Sequence, residues 1–163
     1  QLAGVSADEI RKGMLSFGGV DRRFDFHVRR SDMVYISDYA HHPEEIRQSI
    51  LSIKQLYAGK RIKAIFQPHL YSRTQDFYRE FADALSLLDD VVIMDIYPAR
   101  EEPIPGVTSD LIFDNLRSGI KKQLCTKSTI MDSIREKDFD VLVTLGAGDI
   151  ENFADEISDF LTK

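Results

Sequence analysis

Short apolar runs alternate with longer segments of helical periodicity along most of the chain. The runs at residues 62–66, 91–96 and 141–145 have the length and the Val and Ile content of buried strands, and a weaker run covers residues 122–125. Between them, apolar side chains at helical spacing predict helices over residues 43–57, 77–88, 110–116, 129–135 and 150–160. The predicted fold is therefore α/β, with an open, mostly parallel, doubly wound (Rossmann-like) sheet of about six strands.

The N-terminal segment carries a helix signal of its own. Ser6 and Glu9 have the spacing of a capping box, in which each side chain accepts a hydrogen bond from the backbone N–H of the other residue. Apolar side chains then recur at helical spacing through residues 10–15. The pattern predicts a first helix that ends near the glycine pair at 18–19.

Two extended runs, at residues 24–30 and 33–37, follow this helix and are separated by two polar residues. They predict a hairpin whose first strand runs antiparallel to the rest of the sheet. If the hairpin is centred between residues 30 and 31, antiparallel pairing puts Arg23 roughly opposite Asp38. A charged pair would then lie at the end of the second strand.

Polar clusters follow the ends of four predicted strands, at residues 38–42, 67–74, 97–106 and 146–149. In an open parallel sheet the C-terminal ends of the strands share one edge, and such folds bind ligands there. Loops at the opposite edge, such as residues 57–61, are short and lack His. The asymmetry predicts that the functional site lies at the C-terminal edge.

The first of these clusters carries the most chemistry. Asp38, Tyr39, His41 and His42 lie between a strand and a helix that begins at Pro43, and they can serve in proton transfer, hydrogen bonding or metal binding. The alternative is that Asp38 or His42 only caps the helix. Adjacent histidines on a turn point apart, and no Cys or H-x-x-E motif completes a ligand set, so no metal site is predicted.

Two further clusters leave alternatives open. His69 and Arg73 could hold a carboxylate or a phosphate through charge-assisted hydrogen bonds, or Arg73 could pair with Asp76 on its own helix. Residues 146–148 lack the third glycine of the dinucleotide-binding fingerprint. A tight turn with Asp149 near the helix cap is the favoured interpretation of that segment.

Composition narrows the function classes. A length of 163 residues allows one domain with a real core, and no apolar run is long enough to cross a membrane. A formal charge of −6 argues against broad nucleic-acid binding, and the single cysteine, Cys125, favours a reducing cytoplasm. The sequence contains no G-x-x-x-x-G-K-[ST] phosphate loop, so the chain alone is not expected to split a nucleoside triphosphate.

Five motifs, in order, resemble the C-terminal domain of the Mur ligases of peptidoglycan synthesis. They lie at residues 19–24, 38–43, 66–74, 97–106 and 146–150 and so extend over nearly the whole chain. The resemblance is to the type that joins L-alanine to UDP-N-acetylmuramate. Members have three domains, and this chain resembles only the third; the sugar-binding domain and the central phosphate-loop domain are absent from it.

The resemblance implies an ATP-dependent ligase in which the muramate carboxylate is phosphorylated and the amine of L-alanine attacks the acyl phosphate, with Mg²⁺ stabilising the charge. In the family the third domain closes over the central one, contributes to ATP binding and helps to recognise the amino acid. By resemblance, Arg23 would contact the ATP phosphates and Asp38 the nucleotide or its ribose.

The resemblance also implies an amino-acid side of the site. The residues that would face the amino acid are Tyr39, His41, His69 and Arg73. Arg73 is the candidate partner of the alanine carboxylate, and Leu70 stands where many relatives carry a second arginine. No catalytic residue is expected in this domain alone, and the isolated domain is predicted to be inactive.

Two alternative functions remain. One is the related ligase that attaches a recycled tripeptide to the same muramate and shares the Asp-x-x-His-His-Pro turn; the segment at residues 67–74 favours the alanine type. The other is a stand-alone nucleotide-binding or regulatory module without catalysis.

Overall fold

The computed structural model describes residues 4–16, 20 and 22–163, in which helices and strands alternate. The strands are β1 (Asp25–Arg29), β2 (Val34–Asp38), β3 (Ile62–Phe66), β4 (Asp90–Met94), β5 (Lys121–Cys125) and β6 (Val141–Leu145). The helices are α1 (Ala7–Ser16), α2 (Pro43–Leu56), α3 (Tyr71–Leu85), α4 (Asp110–Asn115) and α5 (Ala154–Thr162), with short 3₁₀ helices at Met131–Ile134 and Asp149–Phe153. Within these residues, no helix has both the length and the apolar character needed to cross a bilayer.

The six strands form one sheet in the order β1-β2-β6-β3-β4-β5. β1 pairs antiparallel with β2, and the other neighbouring pairs are parallel. β6 is the last strand in sequence, yet it lies between β2 and β3. The mostly parallel sheet with an antiparallel hairpin strand is confirmed.

Helices cover both faces of this sheet, and successive strand residues face opposite layers. Ile36 belongs to the first layer and its neighbour Tyr35 to the second. The first layer contains Ile46, Ile50, Phe81 and Ile112 from α2, α3 and α4, and the second contains Ile130, Ile134, Ile157 and Leu161. Burial of each such side chain contributes about 1.5–3 kcal/mol. The doubly wound arrangement is confirmed by these two apolar layers.

The hairpin forms, but its predicted register is wrong by one residue. Arg30 N donates to Met33 O, so the hairpin is centred between residues 31 and 32, one position later than predicted. The pairing then shifts at a bulge between Phe26 and Val28, after which Asp25 lies opposite Ser37. Continued by one position, this register places residue 24, and not Arg23, opposite Asp38.

The capping box of α1 is confirmed, but the apolar stripe of this helix is not part of the core. Glu9 N donates to Ser6 Oγ at 3.3 Å, and Ser6 N donates to a Glu9 carboxylate oxygen at 2.9 Å. Ile10, Met14 and Leu15 are 47%, 69% and 82% exposed. The glycine pair predicted to end the helix lies outside the described residues.

Three other predicted helices differ in bounds or type, and the first of them, predicted at residues 77–88, is α3 at Tyr71–Leu85. The segment predicted at 129–135 forms only a 3₁₀ turn at Met131–Ile134, although Ile130 and Ile134 are buried as a helical spacing requires. The final segment begins as the 3₁₀ turn Asp149–Phe153 before α5 starts. Apolar spacing alone does not distinguish a tight turn from an α-helix when the segment is short.

Candidate functional site

The predicted functional edge is formed by the C-terminal ends of the parallel strands β2, β3, β4 and β6. Three short segments meet there: the β2 turn (residues 39–42), the β3 turn (residues 67–70) and the β6 loop (residues 146–149). Because β6 lies between β2 and β3, its loop separates the two turns.

Side-chain rings from three strand ends form a continuous row at this edge. The ring centroids of Tyr39 and His41 are 5.3 Å apart, and those of His41 and His69 are 6.1 Å apart. His69 in turn stacks on Tyr97, which follows β4, at 5.6 Å. The structure therefore brings together the three ring-bearing residues predicted for the amino-acid side, and Tyr97 extends the row.

Arg73 lies beside this row and contacts His69. A guanidinium nitrogen of Arg73 lies 3.2 Å from His69 Nδ1. Because guanidinium can only donate, His69 Nδ1 accepts this bond and the imidazole proton is on Nε2. Burial, followed by the positive charge of Arg73, lowers the pKa of His69, so the ring is neutral at pH 7. Within the described residues no carboxylate pairs with Arg73, so the alternative ion pair with Asp76 is not formed.

Leu70 adopts an unusual backbone conformation just before α3. Its φ of 74° lies in the left-handed region, which is uncommon for a residue other than glycine. Its carbonyl accepts bonds from both the backbone N and the hydroxyl of Thr74, at 3.1 and 2.9 Å. The residue thus redirects the chain from the β3 turn into the helix that carries Arg73.

The N-terminus of α3 is also held by a residue from the loop after β4. The Glu101 carboxylate accepts bonds from the Ser72 backbone N at 3.0 Å and from the Ser72 hydroxyl at 2.5 Å. These bonds lower the pKa of Glu101. The loop with three prolines is therefore anchored one residue away from Arg73.

A cavity of about 230 Å³ lies on the other side of Tyr39. Its lining residues are Arg23, Phe24, Asp38, Tyr39, Ala40, Glu45 and Ser49. The Asp38 carboxylate accepts bonds from Ala40 N at 3.1 Å and from the Ser49 hydroxyl. Arg23 is exposed, and in the described part of the chain it forms no ion pair with Asp38. The two residues predicted for the nucleotide share this cavity without neutralising each other.

His42 is the N-cap residue of α2, and Glu45, three residues later, completes a capping box with it. The Glu45 carboxylate accepts the backbone N–H of His41 at 3.0 Å and of His42 at 3.2 Å. Burial tends to raise the pKa of Glu45, but these bonds and the nearby imidazoles lower it. The same Glu45 carboxylate lies 3.4 Å from His41 Nδ1, which is also 3.0 Å from the Tyr39 carbonyl, so the helix cap contacts the ring row.

Two functional candidates, Gln67 and Arg22, lie within the motifs at residues 66–74 and 19–24, but neither was assigned a role from the sequence. Gln67 is 1% exposed and contacts the β6 loop, and Arg22 lies 4.6 Å above the Tyr39 ring. A polar residue directly after a buried strand was the available signal for Gln67.

A metal site was considered for the histidines of the β2 turn and was not predicted. The described residues contain no cluster of three or more His, Cys, Asp or Glu suited to an ion.

The fold is that of a doubly wound α/β domain, and sequence comparison places it in a family. Residues 22–150 match the family described as "Mur ligase, glutamate ligase domain". The chain belongs to the Mur ligase family. The resemblance read from the five motifs is confirmed.

Individual relatives carry more specific names. The chain is 59% identical, over its whole length, to UDP-N-acetylmuramate--L-alanine ligase of Phocaeicola vulgatus, and it spans 36% of that relative. The solved UDP-N-acetylmuramate-alanine ligase of Thermotoga maritima is 27% identical, with a TM-score of 0.76 over 99% of this chain and 34% of its own. A solved murein peptide ligase of Psychrobacter arcticus is similar in fold alone. It is 22% identical, with a TM-score of 0.67 over 98% of this chain and 33% of its own.

Proposed function

We propose that this chain is the C-terminal domain of a three-domain, ATP-dependent ligase that joins L-alanine to UDP-N-acetylmuramate in cytoplasmic peptidoglycan synthesis. The observation that carries the proposal is the 59% identity, over the full chain, to the alanine ligase of P. vulgatus. The chain spans about a third of the length of the relatives it matches, so the sugar site and the phosphate loop would lie in the remaining two domains.

The overall reaction has two steps in this proposal. The muramate carboxylate attacks the γ-phosphorus of ATP and releases ADP, which gives an acyl phosphate. The alanine amine then attacks the acyl carbon, and phosphate leaves as the amide forms. Mg²⁺ would neutralise the phosphates.

The nucleotide side of this domain is the cavity lined by Arg23 and Asp38. Its volume of about 230 Å³ is below the roughly 300–1,000 Å³ typical of complete small-molecule sites. That size fits a partial site, completed when the domain closes over its neighbour. Arg23 is exposed and free of an Asp38 partner, so its charge is available to phosphate oxygens in the closed state.

The amino-acid side is the row from Tyr39 through His41 to His69, with Arg73 beside it. Arg73 donates to a neutral imidazole and not to a carboxylate, so its guanidinium keeps the charge needed for an incoming α-carboxylate. Leu70 offers no second cationic group at this point. The two sides meet at Tyr39, which lines the cavity and also contacts His41.

The test is an assay of the full-length protein encoded with this chain. We expect ADP release that depends on both UDP-N-acetylmuramate and L-alanine, and a product with the mass of the alanyl conjugate. Product formation with the muropeptide tripeptide instead of alanine would favour the recycling ligase. The 163-residue chain alone should fold but give no ATP turnover, and turnover that copurifies with it would contradict its assignment as a non-catalytic domain.

A further inference from the structure

The two halves of the amino-acid side come from strands that are not neighbours. His41 follows β2 and His69 follows β3, and β6 lies between them. Each of the two turns therefore reaches its partner across the β6 loop. The ring centroids of His41 and His69 are nevertheless only 6.1 Å apart.

Gln67 fastens the β6 loop to the β3 turn. Its amide nitrogen donates to an Asp149 carboxylate oxygen at 2.7 Å, and its amide oxygen accepts the Ile150 N–H at 2.9 Å. A carboxylate can only accept and a backbone N–H can only donate, so these partners define the amide orientation. With the side chain 1% exposed, the loss of either bond leaves a buried polar group without a partner.

The glycines of the loop allow this close contact. A Cβ on Gly148 would lie 2.2 Å from the Gln67 amide oxygen and 2.8 Å from Tyr97 Cβ. A Cβ on Gly146, whose φ is +140°, would lie 2.7 Å from the Gln67 carbonyl oxygen. Only a loop without side chains at these positions can pack against Gln67 so closely.

Arg22 holds the same loop from the β2 side. One guanidinium nitrogen donates to the Gly148 carbonyl at 3.4 Å, and the guanidinium carbon lies 4.6 Å above the Tyr39 ring. Its Nε is 3.5 Å from a Glu151 carboxylate oxygen, an ion-pair distance. The loop is thus contacted by Gln67 of the β3 turn and by Arg22, which precedes β1 and packs on Tyr39 of the β2 turn.

We propose that Gln67 is a positioning residue that, through the β6 loop, sets the spacing between the β2 turn and the β3 turn on the amino-acid side of the site. The identity of the ligand rests on the proposed function above, and the positioning role does not. The cavity that contains Arg23 and Asp38 is lined, among the described residues, by none from the β6 loop. Loss of Gln67 should therefore affect the amino acid more than ATP.

The test substitution is Gln67→Glu, with Gln48→Glu as the matched control. The introduced carboxyl group would face the Asp149 carboxylate in a buried position, which disrupts the link. Gln48 also donates to a carboxylate, that of Glu44 at 2.7 Å, but it is exposed on α2. Should the Gln67→Glu chain not fold, Gln67→Met removes both bonds at similar volume without adding a charge.

Two measurements decide the role. In NMR spectra of the 163-residue chain, we expect the His69 ring resonances to move in the Gln67 variant and to remain in place in the Gln48 control. In the full-length enzyme, we expect the KM for alanine to rise about tenfold and the KM for ATP to change less than about threefold. A lower melting temperature with unchanged His69 resonances and unchanged KM for alanine would reduce Gln67 to a structural role. A wild-type enzyme that does not use alanine would contradict the proposed function, and the NMR result would still decide the positioning role.

Discussion

A guanidinium nitrogen of Arg73 lies 3.2 Å from Nδ1 of His69, and this bond requires the imidazole to be neutral. Burial is the largest cause of the lowered pKa of His69, and the charge of Arg73 is the next. Replacement of Arg73 by Gln should therefore raise the pKa of His69 towards its ordinary value. NMR titration of the His69 ring measures the change directly, with Arg79→Gln, an exposed position on the same helix, as the control.

The bond between Arg73 and His69 also predicts how stability and alanine binding change with pH. The pKa of His69 is lower in the folded state than in the unfolded state. The stability contributed by the neutral ring is therefore fully present when the pH is above the pKa of the unfolded state. It is lost as the pH falls through the pKa of the folded state. Protonation also removes the acceptor for Arg73. We expect the KM for alanine to increase at acid pH. An unchanged His69 pKa in the Arg73→Gln variant would show that the two residues are not coupled.

Arg23 should matter for catalysis far more than for stability. It is exposed beside the cavity. An ion pair with Asp38, which would give it a structural role, is not formed in the described part of the chain. In the full-length enzyme, Arg23→Ala should lower kcat/KM for ATP by about 10- to 100-fold, which corresponds to about 1.4–2.8 kcal/mol.

The control for Arg23 is Arg79→Ala, which also removes an exposed arginine. We expect both variants to keep their melting temperature within about 2 °C, as surface substitutions usually do. If Arg23→Ala leaves the rate unchanged and lowers the melting temperature, the residue stabilises the hairpin and does not contact ATP.

Lys63, at the N-terminal end of β3 and away from the candidate site, tests how much a buried ion pair contributes to stability. Its side chain is 3% exposed, and Nζ lies 3.3 Å from an Asp90 carboxylate oxygen and 4.0 Å from one of Asp138. Removal of one partner from a buried pair costs roughly 3–5 kcal/mol. Because Lys121 still pairs with both aspartates, we expect Lys63→Met to cost less, about 1–3 kcal/mol in urea unfolding.

The matched control here is Lys121→Met, because Lys121 contacts the same two carboxylates from a side chain that is 56% exposed. An exposed pair contributes about 0–1 kcal/mol, so this variant should be nearly as stable as the wild type. A larger loss from Lys121 than from Lys63 would mean that burial does not determine the strength of these pairs. Neither variant should alter the KM for alanine.

Two buried strands, β3 and β6, were predicted to the residue, whereas the buried strand β4 was predicted at residues 91–96 and is observed at Asp90–Met94. β3 and β6 occupy the predicted ranges 62–66 and 141–145, because a short apolar run between polar flanks has few alternatives in a parallel sheet. The hairpin register was missed because the turn is centred between residues 31 and 32, one position later than predicted. A bulge between Phe26 and Val28, for which the local sequence carries no signal, then moves the pairing back towards the predicted register, so that the error at Asp38 is one residue.

The apolar stripe of α1 marks another limit of sequence periodicity. Spacing shows that a helix has an apolar face, but not what covers that face. Leu15 is 82% exposed in this chain although it continues the helical stripe. Periodicity therefore predicted the helix and not its environment.

The candidate site, like the fold, could be predicted from the sequence only in part. Asp38 and His69 were identifiable because polar residues follow buried strands, and parallel topology brings those ends together. The role of Gln67 depends on β6 lying beside β3, a neighbour relation between segments about 80 residues apart. Such a relation follows from the strand order and not from any local motif.

We expect the edge beside the ring row to receive the carboxylate of alanine, and replacement of Arg73 shows whether it does. Steady-state kinetics of the full-length enzyme, with each substrate varied in turn, should show that Arg73→Ala raises the KM for alanine at least about tenfold and changes the KM for ATP little. Arg73→Lys should restore little of the loss, because a point charge does not reproduce a planar two-donor fork. An increase in KM confined to ATP would contradict the account and assign Arg73 to the nucleotide.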